Sequence, residues 1–255
     1  KPHLLVDDTG TIMAMSERRE DVESPDATVI DLDGRLLLPS LVEPHAHLDK
    51  SLTADVVPNP KGDLMGAILG WREAESSGVI AHDEMVQRIT RSLEMLLKSG
   101  VTLVRSHINV GGPVSTRYLV AAIEAAQQFK NRMDIEFVAL TYMPMSGEGS
   151  DVNLIALNEA IELGVDVIGG CPHLEPDPDA CVSIAFELAE RHGRKVDLHV
   201  DETLDPTALT ISDVIRYSRG SQILTTASHC VSLGMLSTEE IKPLANAIAE
   251  ADISI

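Results

Sequence analysis

Beyond residue 84 the chain repeats one pattern: apolar residues at helical spacing, a stop, then a short apolar run that ends in polar groups. Met85, Ile89, Leu93 and Leu96 form the first such stripe, and Lys98-Ser99-Gly100 closes it with a basic residue followed by glycine. Further helices are expected at about 117–130, through Leu154, Leu157 and Ile161 to Gly164, from Pro178 to His192-Gly193, and over about 208–217. A last one opens at Ser237-Thr238-Glu239-Glu240, a capping-box spacing. Strands are expected between them at Val101–His107, Ile135–Leu140, Val165–Ile168, Lys195–Val200, Ile223–His229 and Ile253–Ile255. Helix and strand in alternation imply a parallel sheet, because parallel neighbours need a crossover between them. With a further strand at Leu36–Val42 this gives about seven strands, where a closed barrel has eight. No glycine-rich phosphate loop follows the first strand, which argues against an open dinucleotide-binding sheet. The expected fold is α/β: a TIM-barrel-type (β/α)8 domain over residues 39–255, cut short after about seven strands.

Residues 1–38 read differently. Short extended runs at Leu4-Leu5-Val6, Thr11-Ile12-Met13 and Thr28–Leu32 are parted by the turn clusters Asp7-Asp8-Thr9-Gly10 and Asp33-Gly34, as in part of a small β-sandwich domain. Between the first barrel strand and the first stripe, Ser51 to Ala81 contains Pro58, Pro60, Gly62, Gly66, Gly70 and Trp71. It reads as a long irregular loop, part of which serves as a lid or pocket wall.

The chemistry gathers where the strands end. Pro39–Lys50 reads Pro-Ser-Leu-Val-Glu-Pro-His-Ala-His-Leu-Asp-Lys, and alternate residues of an extended strand share a face, so His45 and His47 point the same way. Two histidines two apart are by themselves a modest sign of a metal site. A lone strand-end histidine is more often a packing residue than a ligand. Here His107 and Asn109, Cys171-Pro172-His173-Leu174-Glu175, His199-Val200-Asp201-Glu202 and Ser228-His229 stand at the ends of four further strand segments, and in a barrel those ends converge on one mouth. The bland alternative for Glu202 is a helix-start acid that complements the helix dipole.

Lys and Arg number 20 against 40 Asp and Glu, a net charge of −20. Such a surface repels nucleic acid and anionic membranes, so a small-molecule substrate is expected, with a homo-oligomer as the only macromolecular association considered. Cys171, Cys181 and Cys230 are too few and too scattered for a disulfide framework. With no run approaching a membrane span and no leader pattern, a cytoplasmic protein is expected.

Glu43-Pro44-His45-Ala46-His47-Leu48-Asp49, Arg105-Ser106-His107, Pro172-His173-Leu174-Glu175, His199-Val200-Asp201-Glu202 and Ser228-His229 together resemble, in one order along the chain, the signature segments of bacterial cytosine deaminase and its relatives in the amidohydrolase superfamily. The resemblance implies a metal-dependent hydrolase with His45, His47 and His199 as ligands of one divalent ion, zinc or iron. It implies Glu202 as the proton shuttle and His229 as the group that orients the attacking water. Tyr142, standing where cytosine deaminase has a glutamine, and His173 are the residues expected to face the substrate. The family's two-metal members carry a bridging lysine after the fourth strand, where this chain has Gly169-Gly170-Cys171-Pro172, so a single ion is expected. The zinc deaminases built on Cys-x-x-Cys are unsupported, since no such element occurs. The family's eighth-strand aspartate ligand has no counterpart here, so weak metal binding, or a chain isolated without metal, is expected. The implied reaction is hydrolytic deamination of a cyclic amidine or amino-heterocycle. The alternatives are cleavage of another C–N bond, as in alkylamine release from a triazine or opening of a lactam ring, and a degenerate paralogue without activity.

Overall fold

Seven parallel strands lie side by side in chain order in the computed structural model, which describes residues 2–255. Two compact units are present, Lys1–Pro39 and Ser40–Ile255. The first holds β1 (His3–Val6) and β2 (Ile12–Ser16), an antiparallel pair. Its turn is built by Asp7, whose Oδ1 accepts from the amides of Thr9 and Thr11, with Gly10 at φ 88° supplying the left-handed position.

The second unit runs β3 (Leu41–Ala46), α1 (Leu64–Ser77), α2 (His82–Lys98), β4 (Val101–Val110), α3 (Arg117–Gln127), β5 (Asp134–Thr141), α4 (Ser150–Glu162), β6 (Val167–Gly169), α5 (Pro178–His192), β7 (Lys195–Val200), α6 (Ile211–Ser218), β8 (Thr225–His229), α7 (Thr238–Glu250) and β9 (Ile253–Ser254). The sheet order β3-β4-β5-β6-β7-β8-β9 is that of a barrel-type α/β fold, with seven strands among the described residues. The α2 stripe behaves as its spacing demands. Met85, Ile89 and Leu93 are buried, each burial contributing roughly 2 kcal/mol. Gly193 ends α5 in the left-handed conformation, and Ser237 with Glu240 forms a reciprocal capping box on α7.

Three expectations are corrected. Thr28–Leu32 is not a strand: it pairs with nothing among the described residues, and Val29 and Ile30 are exposed. The apolar run Leu36-Leu37-Leu38 lies outside the first barrel strand and is exposed, since the strand begins only at Leu41, where pairing with Val101 starts. The stretch 51–81 is not one irregular loop, for it contains α1. Asp63 caps that helix by accepting from the Gly66 amide, and Gly78 ends it at φ 71°. Of the glycines that suggested a loop, Gly66 stands in a close approach, where a Cβ would lie 2.4 Å from Asn59 Oδ1, and Gly62 takes a left-handed turn position at φ 66°. No helix among the described residues is long and apolar enough to cross a membrane.

Candidate functional site

The strand-end histidines meet. His45 is the fifth residue of β3, and His47 follows just beyond its end. His107 lies on β4, His199 is the fifth residue of β7, and His229 ends β8. His47 Nε2 and His199 Nε2 stand 3.2 Å apart, and ring centroids of His45 lie 4.9 Å from His199 and 4.7 Å from His229. The loop that follows His47 is held from outside the sheet: buried Arg88 on α2 donates through Nη1 to the carbonyls of Asp49 and Ser51.

The donor set suits a cation. His45 Nε2, His47 Nδ1, both nitrogens of His107 and His199 Nδ1 are buried without a hydrogen-bond partner. Unpartnered buried nitrogen is costly unless something else fills the lone pair. One nitrogen each from His45, His107 and His199 lie within 4.8 Å of one another, a spread that one ion can bridge. His107 joins this cluster by geometry although the family resemblance assigns it no ligand role. Its strand-end position in the sequence was the available signal. A bridging lysine has no room at the end of β6, since a Cβ on Gly169 would already lie 2.6 Å from Val138 Cγ1 and 3.1 Å from the Asp197 carbonyl.

Burial, ahead of neighbouring positive charge, holds these imidazoles neutral: His45 is lowered to about 4, and His47, His107 and His199 lie well below the ordinary histidine value. The unfolded chain takes up these protons below about pH 6.5, whereas the folded one does not. Each such group therefore adds stability above that pH, and the contribution is lost as pH falls. Replacing fully buried His107 by Gln is expected to make the loss of stability between about pH 6.5 and 4.5 shallower, by up to ~1.4 kcal/mol per pH unit, in urea melts of metal-free protein. An unchanged slope would show that His107 charges in the folded state.

A cavity of about 400 Å³ opens beside the imidazoles. His45, His47, His199, Glu202, His229, Lys50, Asn109 and Tyr142 line it, with Leu64, Ile68 and Trp71 from α1. Glu202 Oε2 lies 3.8 Å from His229 Nε2. Three residues around this mouth, Asp201, His229 and Cys230, have φ of 50°, 75° and 46°, left-handed backbone that side chains other than glycine adopt at a cost. On the far wall a polar chain runs from Asp49 to Lys50 Nζ (2.9 Å), to Asn109 Oδ1 (2.8 Å), and from Asn109 Nδ2 to Glu75 Oε1 (3.0 Å). The Tyr142 hydroxyl donates to the other oxygen of Glu75. Burial raises the Glu75 carboxyl above the usual range.

His173 is placed apart from the cavity lining: it sits in a short 3-10 turn, Pro172–Leu174, with Nδ1 3.0 Å from the His199 carbonyl. The stretch 51–81 does supply a pocket wall, as expected, but sequence reasoning missed that the wall is the helix α1 and that Glu75 belongs to it. The signal was present, because Leu64, Ile68, Trp71 and Glu75 follow each other at spacings of four, three and four, but the prolines and glycines around them obscured it.

A family model described as "Amidohydrolase family" matches residues 36–254. Among curated proteins, a pterin deaminase of Rhizobium rhizogenes is 27% identical over 227 residues, 88% of this chain and 51% of the relative. Among solved structures, 5-methylcytosine deaminase from Klebsiella pneumoniae, liganded with phosphonocytosine, superposes with a TM-score of 0.84 at 32% identity, covering 98% of this chain and 61% of that one. N-isopropylammelide isopropylaminohydrolase from Burkholderia multivorans gives 0.72 at 26% identity, with 84% and 54% covered. The chain spans about half the length of the curated relatives it matches.

Proposed function

Because the chain belongs to the amidohydrolase family, we propose that it carries the metal-binding half of the site of a hydrolytic deaminase acting on a cyclic amidine or amino-heterocycle. The observation that carries this reading is the approach of His45, His47 and His199, from β3 and β7, around buried nitrogens without partners. These three would hold one divalent ion, zinc or iron. When bound, such an ion makes water acidic near neutral pH and so supplies a nucleophile.

The chain's own groups do the rest. Glu202 takes one proton from the attacking water and gives it to the ring nitrogen, then carries the second proton, from the newly added hydroxyl, to the amino group as the C–N bond breaks and ammonia leaves. His229, beside Glu202, orients that water by hydrogen bonding. The far wall reads the heterocycle. Lys50 offers a charged donor, while Tyr142, its hydrogen engaged by Glu75, meets the ring as an acceptor. His173 supports this site through its contact with the His199 carbonyl. Leu64, Ile68 and Trp71 exclude water from one side.

A second reading, release of an alkylamine from a triazine, is favoured by the likeness to the isopropylaminohydrolase. Steady-state assays of the complete protein with zinc or ferrous iron, on cytosine, 5-methylcytosine, a pterin, creatinine, isoguanine, an aminotriazine and an N-alkylated triazine, decide between them. Ammonia release from an unsubstituted amino-heterocycle is the expected result. Alkylamine from the triazine alone would favour the second reading, and no turnover with either metal would overturn both.

A further inference from the structure

Behind the imidazole cluster a chain of buried and part-buried polar groups links the strands. Arg105 on β4 donates through Nη1 to Asp197 Oδ2 on β7 at 2.9 Å and to Thr226 Oγ1 on β8 at 3.0 Å, and through Nε to Glu136 Oε2 on β5 at 2.8 Å. The other oxygen of Asp197 accepts from Ser228 Oγ at 2.6 Å. Ser228 Oγ lies 3.2 Å from His45 Nδ1 on β3. Asp197 is fully buried and Ser228 nearly so.

The order of donors follows from what each group can do. A carboxylate facing a guanidinium only accepts, so the Ser228 hydroxyl hydrogen is committed to Asp197. What Ser228 has left for His45 is a lone pair. Nδ1 of His45 must then carry the hydrogen, which leaves Nε2 bare, and His45 Nε2 is one of the buried nitrogens without a partner. An imidazole in the other tautomer would place two lone pairs, on Nδ1 and on the serine oxygen, against each other and aim a hydrogen where a cation needs an electron pair.

We infer that Ser228, fixed by Asp197 and Arg105, is a positioning residue that sets the His45 tautomer and ring orientation and thereby prepares Nε2 to bind the metal. The inference rests on the proposed ligand role of His45. Outer hydrogen bonds of this kind typically alter metal affinity by 10- to 100-fold. It also explains why a serine immediately precedes His229: one strand end supplies a group that faces the reacting water and, one residue earlier, a group that aims a ligand.

The test uses the complete protein. Imidazole nitrogen NMR of the metal-free protein is expected to show His45 protonated at Nδ1. Ser228→Ala is expected to lose that tautomer preference and to weaken zinc binding, measured against a competing chelator, by about 10- to 100-fold. Ser228→Thr, which keeps the hydroxyl, is expected to restore both, and it stands in for the alanine variant should that one not fold. His45→Ala is the control for the underlying reading. If His45→Ala leaves zinc affinity unchanged, His45 is no ligand and the proposed site falls. If His45→Ala abolishes binding while Ser228→Ala leaves tautomer and affinity unaltered, the positioning role alone is refuted.

Discussion

Glu202→Gln is expected to lower kcat/KM on the best amino-heterocycle by about a thousandfold, with fold and metal content unchanged. Glutamine keeps the volume and one acceptor oxygen but cannot take a proton at neutral pH, so the substitution isolates proton transfer from packing. Glu202 suits that work because it lines the cavity three residues after His199, with its carboxylate 3.8 Å from His229. Were Glu202 only an acid complementing a helix dipole, the neutral isostere would cost a few tenths of a kcal/mol in stability and almost nothing in rate. A fall of less than tenfold, measured at saturating metal, removes Glu202 from the reaction.

The second large effect is on stability. Asp201→Ala is expected to destabilise the protein by about 3–5 kcal/mol, read as a lowered urea midpoint with unchanged slope. The Asp201 side chain is fully buried and accepts from the Thr210 amide (3.0 Å), the Thr210 hydroxyl (2.6 Å) and the Ile211 amide (3.0 Å). It therefore ties the start of α6 to the end of β7. Alanine leaves the buried Ile211 amide and the part-buried Thr210 amide and hydroxyl without their acceptor, whereas Asp201→Asn keeps one acceptor oxygen and is expected to cost less. Because Asp201 stands between Glu202 and the strand that carries His199, Asp201→Ala is also expected to reduce kcat. A change below 1 kcal/mol would show that water replaces the carboxylate.

Most of the site was legible where chain geometry fixes it locally. His45 and His47, two residues apart across the end of β3, keep their rings within reach of each other, and Glu202 cannot lie far from His199. Long-range placement was legible only through topology: a parallel sheet with its polar groups at one end of the strands brings those ends together. The far wall was hidden. Glu75 is an acid inside a stretch rich in proline and glycine, and nothing in its neighbours announces that Tyr142 and Asn109 will close on it. Thr28–Leu32 shows the opposite failure, since β propensity without a partner strand makes no strand.

The sequence alone determined the alternation of helix and strand, the C-terminal end of α2, both ends of α5, the start of α7, and the gathering of imidazoles and acids at the strand ends, because periodicity, caps and neighbour spacing are properties of a few consecutive residues. Only the tertiary structure decided that His107 joins the imidazole cluster, that His173 faces a backbone carbonyl, that Tyr142 and Asn109 close on Glu75 of α1, and that Ser228 reaches His45. Those relations join residues as many as 183 positions apart, and they depend on burial and hydrogen-bond satisfaction, which exist only once the strands are side by side.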